Sequence, residues 1–99
     1  MDNVAKWKSI LMDNFYQTKA INNTVDKDNI FRKEILTMLE KYKNMDWGDT
    51  CKPDWKMNDK AVQSGNERIV AKYKTSKGDV FIITEWDRSA TTILFASEY

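Results

Sequence analysis

The apolar residues of this chain change period about two-thirds of the way along, so the chain builds helices first and a sheet last. Before that point apolar side chains recur at three- and four-residue steps. Val4, Trp7, Leu11 and Phe15, with Ile10 beside them, predict a first helix over residues 2–19 with one apolar face. Ile21, Asn22, Asn23 and Thr24 then read as a turn, being poor helix formers. Phe31, Ile35, Met38, Leu39 and Tyr42 share one face of a second helix. Asp26 or Asp28 is its N-cap, and Lys41 and Lys43 lie in its last turn, where cations suit the helix dipole. These two helices are expected to pack as an antiparallel hairpin over residues 1–45. Pro53 suits a first helical position and Gly65 a position just past a helix end. Between them Trp55, Asn58, Asp59 and Val62 lie on one face of a short third helix, with Asp49 or Thr50 as its cap.

From Arg68 the period becomes two. Ile69, Ala71 and Tyr73 face one way, and Val70, Lys72 and Lys74 the other. Ser76, Lys77, Gly78 and Asp79 are turn formers. Residues 80–86 are β-branched or aromatic enough for a central strand, residues 87–90 turn again, and residues 91–96 close the sheet. The expectation is one α+β domain: a helical hairpin over 1–45, a loop and short helix over 46–65, and a three-stranded antiparallel meander over 66–99. One sheet face packs the helices. The other carries enough apolar area to suggest a partner, a dimer or the third helix.

At 99 residues the chain holds one core, and with 41% hydrophobic residues and 12% aromatics it has the means to build it. Sixteen basic residues stand against fifteen acidic ones, and the balance is even along the chain: eight acids and eight bases up to Asp49, seven and eight after it. No basic footprint of a nucleic-acid binder is visible at that scale. With one cysteine, Cys51, no intramolecular disulfide can form. The absence of a secretory signal or a membrane-length apolar run leads to an expectation of a cytoplasmic protein with no membrane contact, monomeric or homodimeric.

Catalytic parts are scarce. There is no histidine, so the usual proton shuttle near neutral pH is missing, and Cys51 reads as a part-buried thiol beside Trp47. Asp79, Glu85 and Asp87 flank the central strand and could hold a divalent cation in a small metal-dependent nuclease-like enzyme. However, Asp79 and Asp87 fall at opposite ends of that strand, where turn capping, with Glu85 paired to a neighbouring Lys or Arg, explains them as well. Gly48, Gly65 and Gly78 stand alone, without a phosphate-cradling loop. No cofactor or metal is expected.

Binding residues are more abundant. Lys52, Lys56 and Lys60 line one face of the third helix at four-residue steps, and Lys72, Lys74 and Lys77 lie on the first strand and its turn. If helix and strand are adjacent, the six form one strip able to follow an RNA backbone or face a nuclease. The alternative is a solvated helix face, plus lysines that guard an edge strand. Trp47, Trp55 and Trp86, with Arg88 next to the last, are candidate partner-binding anchors, and core packing is the competing role, above all for Trp86.

The C-terminal half also resembles something known. Trp47-Gly48-Asp49-Thr50-Cys51, Trp55-Lys56-Met57-Asn58-Asp59, Arg68-Ile69-Val70-Ala71 and Thr75-Ser76-Lys77-Gly78, followed by the run from Ile83 through Glu85-Trp86-Asp87-Arg88 to Phe95, resemble a family of short proteins of phages and mobile elements of Gram-positive bacteria. The resemblance covers residues 46–99. Small proteins of that kind include anti-CRISPR proteins against type II systems. It therefore implies a non-enzymatic inhibitor that binds a type II CRISPR effector nuclease, with or without guide RNA, or blocks its guide-RNA loading. A structural or regulatory dimeric module of a mobile element is the other reading. No catalytic motif is carried over by this resemblance.

Overall fold

In the computed structural model, which describes residues 3–10 and 14–99, the alternating third of the chain forms β2 (Ile69–Thr75), β3 (Gly78–Thr84) and β4 (Thr91–Phe95). They pair antiparallel, with Ala71 opposite Ile82 and Ile82 opposite Ile93. Ile69, Ala71 and Tyr73 are buried on one face with Val80, Ile82, Thr84, Thr91 and Ile93, as the two-residue period requires.

The meander is not the whole sheet. A fourth strand, β1 (Phe15–Gln17), pairs parallel with β4, Tyr16 opposite Thr92, and the order across the mixed sheet is β1-β4-β3-β2. This corrects the expected first helix over 2–19. Helix α1 spans Asn3–Ile10, and Phe15, read as the end of its stripe, lies in a strand. Leu11 and the predicted start at Asp2 lie outside the described residues. Phe15 and Tyr16 are aromatics that suit a pleated surface, and Thr18 immediately caps a new helix, its Oγ1 accepting from the Ile21 N–H at 3.3 Å. That helix, α2 (Lys19–Lys27), runs through the stretch read as a turn. Its poor formers are overridden by the cap and by Ile21, which is fully buried.

Helix α3 (Asn29–Lys43) follows with Asp28 as its N-cap, the carboxylate accepting from Phe31 N–H at 3.0 Å. Phe31, Ile35, Met38 and Tyr42 are buried, and Leu39 packs beside them. The expected hairpin of the first two long helices does not form. Helix α3 packs with α2, whereas α1 packs on α4 (Lys52–Ser64). Helix α4 begins one residue before Pro53 and ends at Gly65, whose φ of 78° lets its N–H turn back to Ala61 O at 2.9 Å. Its N-cap is Cys51, without a side-chain bond, rather than Asp49 or Thr50.

Asp49 and Thr50 are spent elsewhere. Along the outer edge of β2, Asn58 donates to Val70 O at 2.9 Å and accepts from Val70 N–H at 3.4 Å, as a neighbouring strand would. Thr50 Oγ1 accepts from Lys72 N–H, Asp49 N–H donates to Lys72 O, and the Asp49 carboxylate accepts from Lys74 N–H, all within 2.9 Å. A strand edge that would otherwise template aggregation is thus closed by three side chains and one peptide N–H. Asn58→Ala is expected to cost about 2 kcal/mol, since it leaves the Val70 groups unpaired beside a buried site. Urea denaturation should show this, with more aggregate at high protein concentration than in wild type. An unchanged midpoint would mean water replaces the amide at no cost.

The core lies between the sheet and the helices. Its centre is aromatic: Trp7, Tyr42 and Trp47 meet with ring centroids 5.2–6.0 Å apart. Tyr42 hydroxyl, Thr84 and Thr91 form a buried chain of 2.8 Å hydrogen bonds, and among the described residues no buried side-chain polar atom lacks a partner.

Candidate protein-binding surface

The turn between β3 and β4 is short and closed on itself. Glu85 N–H donates to Ala90 O at 3.0 Å, Arg88 N–H to Glu85 O at 2.9 Å, and Ser89 N–H to the Asp87 carboxylate at 3.0 Å. The Ser89 hydroxyl first, and then the Ser89 N–H, hold the Asp87 carboxyl below its ordinary pKa by hydrogen-bonding its charged form. Arg88 adopts a left-handed φ of 62°, which sends its side chain inward beneath the turn.

There the guanidinium gathers carbonyls from three elements. Its Nη2 donates to Ala61 O of α4 at 2.8 Å, and its Nη1 to Glu67 O ahead of β2 and to Glu85 O at 3.3 Å. The same group lies over the Trp7 ring, 5.6 Å from its centroid. Burial pushes its pKa down, although an arginine in this range stays charged. Arg88 is therefore a strut that fixes the turn to α1, α4 and β2, and most of its donors are not available as an outward anchor.

What the strut presents is Trp86. This residue is 62% exposed, whereas Trp47 is fully buried and Trp7 nearly so. The core role weighed for Trp86 in the sequence belongs to Trp47 instead. Trp47 Nε1 donates to the Asp59 carboxylate at 2.8 Å, and its indole packs on Trp7 and Tyr42, which removes it from any surface. Trp55 is half-buried against the core. Cys51 is exposed, not packed beside Trp47.

The six lysines do not form one strip. Lys52, Lys56 and Lys60 are exposed on α4, on the side turned away from Asn58, Ala61 and Val62, which face β2 and the core. Lys72 and Lys74 alternate with the core-facing residues of β2, so they stand on the sheet's outer face. Asp54, Met57 and Asn58 of α4 lie between the two sets, beside Val70. Lys77 turns toward the helices and pairs with Asp28 at 3.3 Å. The helix and strand are adjacent, but helical geometry points their lysines in different directions.

The acidic trio is likewise spread out: Asp79 is at the start of β3, Asp87 is beyond its end, and Glu85 is 3.7 Å from Arg68. Among the described residues no group of three or more His, Cys, Asp or Glu side chains is placed to hold a metal ion. Arg68 also donates to the Tyr99 hydroxyl at 3.0 Å, and Tyr99 packs edge-on against Phe81. The C-terminal 3-10 turn (Ala96–Glu98) thereby brings Tyr99 over part of the outer sheet face, a cover that the alternation pattern gave no means of locating.

The molecule is an α+β chain whose helices lie over one face of a four-stranded mixed sheet, and among the described residues no helix is long and apolar enough to cross a membrane. No protein-family model, curated protein or solved structure matches the chain.

Proposed function

We propose that this chain is a binding protein that acts by occupying its target, with the Trp86 turn as its principal contact. One observation carries the reading: a large indole, 62% exposed, stands on a turn that a guanidinium ties to α4 and the approach to β2 by hydrogen bonds and to α1 through the Trp7 ring. Exposed aromatics held rigidly are the side chains that most often dominate an interface, because little conformational entropy is lost when they are covered. The target class implied by the resemblance of residues 46–99 is a type II CRISPR effector nuclease, bound as such or blocked during guide-RNA loading, which makes the chain a phage-borne inhibitor.

The test is capture of the effector by tagged protein from cells carrying a type II system, with and without guide RNA, using wild type and Trp86→Ala. Wild type is expected to recover the nuclease near equal stoichiometry. Trp86→Ala should weaken binding roughly 30-fold, the effect of losing about 2 kcal/mol at an anchor, with an unchanged melting temperature because the indole is outside the core. Equal capture by the variant would remove the turn from the interface. Failure of wild type to capture the nuclease in either state would remove the proposed target. A version in which RNA is contacted draws on Lys52, Lys56 and Lys60, and in that case capture should fall steeply with salt and with charge reversal at Lys56 and Lys60.

A further inference from the structure

Behind the Trp86 turn, α1, α4 and the turn enclose a cleft of about 250 Å³ lined by Lys6, Trp7, Ser64, Gly65, Asp87 and Arg88. We propose that this cleft receives a single carboxylate, an Asp or Glu side chain of the protein that Trp86 contacts. The inference rests on the protein-binding reading above and adds the chemistry of the partner's surface.

The charges in its walls carry the argument. Lys6 and Arg88 are cationic, Asp87 is anionic, and the sum is one positive charge facing a concave space. Among the described residues neither cation has a carboxylate within ion-pair distance, the two pairs present being Arg68–Glu85 and Lys77–Asp28. Arg88 hydrogen-bonds only neutral carbonyls, those of Glu67, Glu85 and Trp86 at Nη1 and that of Ala61 at Nη2, while the Glu67 carboxylate, outside the lining, acts on it at longer range. A guanidinium has five N–H donors, so the Nε proton and one Nη2 proton are left for an oxyanion, which guanidinium donors bind strongly. Asp87 offsets one of the two cations in the lining, and the positive charge that remains there is one that a monoanion balances.

Asp87 decides between anions. A dianionic phosphate would face its carboxylate across a small space and leave the cleft net negative, whereas one carboxylate brings the sum to zero. The exposed Trp86 on the same turn means that an acidic side chain entering the cleft would belong to a segment already covering the indole.

The experiment titrates ¹⁵N-labelled chain with acetate, and separately with inorganic phosphate, at constant ionic strength. Acetate is expected to shift Ser64, Gly65 and the Trp7 indole saturably, with a Kd on the order of 10 mM, as for a ligand making a few polar contacts. Lys6→Glu, which reverses the net charge of the walls from outside the core, should abolish those shifts while leaving the rest of the spectrum in place. Arg88 is not replaced in this test because the fold depends on it. Absence of saturable shifts in wild type, their persistence in Lys6→Glu, or tighter binding of phosphate than acetate would each overturn the carboxylate site. The two readings fail separately: wild type that captures its partner but ignores acetate loses only this site. Acetate binding together with undiminished capture by Trp86→Ala loses only the Trp86 interface.

Discussion

Arg88→Met is expected to destabilise the chain by about 3 kcal/mol, lowering its melting temperature by roughly 15 °C for a domain of this size. Methionine keeps much of the aliphatic stem and its contact with Trp7 but has no donor. The carbonyls of Ala61, Glu67 and Glu85 then lose the group that joined α4, the approach to β2 and the turn. Losing hydrogen bonds to a charged donor in a partly desolvated setting costs about 1.5–3 kcal/mol for the first, and less for those that water can replace. Lysine should rescue little, because a single ammonium cannot meet acceptors on two sides as the planar fork does. Glycine separates the two contributions at this position. It also lacks the guanidinium, but it accepts the φ of 62° without strain, so Arg88→Gly should be about 1 kcal/mol more stable than Arg88→Ala. Guanidinium chloride denaturation of the four variants checks this ordering. A methionine variant within 0.5 kcal/mol of wild type would mean that the strut is incidental, and the rigidity argument for Trp86 would go with it.

That strut also shows why the candidate site was only half legible in the sequence. Periodicity locates Trp86 near a strand end but cannot say which way an indole in a turn will point. The turn that carries it is braced by Arg88, whose acceptors are backbone carbonyls of residues 61, 67, 85 and 86, groups that every sequence contains and no side-chain pattern marks. The second helix, the Pro53 and Gly65 boundaries and the faces of the meander were readable because each rests on local chemistry: an Asp28 cap, a fixed proline φ, a two-residue alternation. What failed was non-local. Phe15 continues a helical stripe numerically, yet it pairs with Thr91, seventy-six positions later, and nothing near Phe15 announces that partner. Asp49 and Thr50 have the chemistry of helix caps, and their oxygens do accept backbone N–H groups. Those groups belong to the β2 edge, because the loop after α3 returns alongside Lys72.

The loop's return depends on one residue, and Gly48→Ala is expected to cost about 4 kcal/mol. Gly48 holds a φ of 64° while bridging to Lys72, and a Cβ placed on it would lie 2.5 Å from Tyr73 Cε1, closer still to Cδ1, and 3.0 Å from Lys72 O. The ring cannot swing aside: Tyr73 is 4% exposed, and its hydroxyl donates to Asp46 O at 2.7 Å on the same loop. Left-handed backbone accounts for roughly 1–2 kcal/mol of the cost, and displacement of the ring or the loop for the rest. Asparagine tells the two apart. It tolerates the left-handed region far better than alanine, so if φ were the whole cost, Gly48→Asn would recover most of the stability. Because the clash is with Cβ itself, Gly48→Asn should be no better than Gly48→Ala in chemical denaturation. Recovery by asparagine would show that Tyr73 yields and that the packing argument is wrong. If the loop is what moves, Asp49 and Thr50 leave Lys72 and Lys74, and the β2 edge is unsealed from one end while Asn58 still closes the other. Hydrogen exchange should then accelerate at the Lys72 and Lys74 amides before it does at Val70, an order that global unfolding alone would not produce.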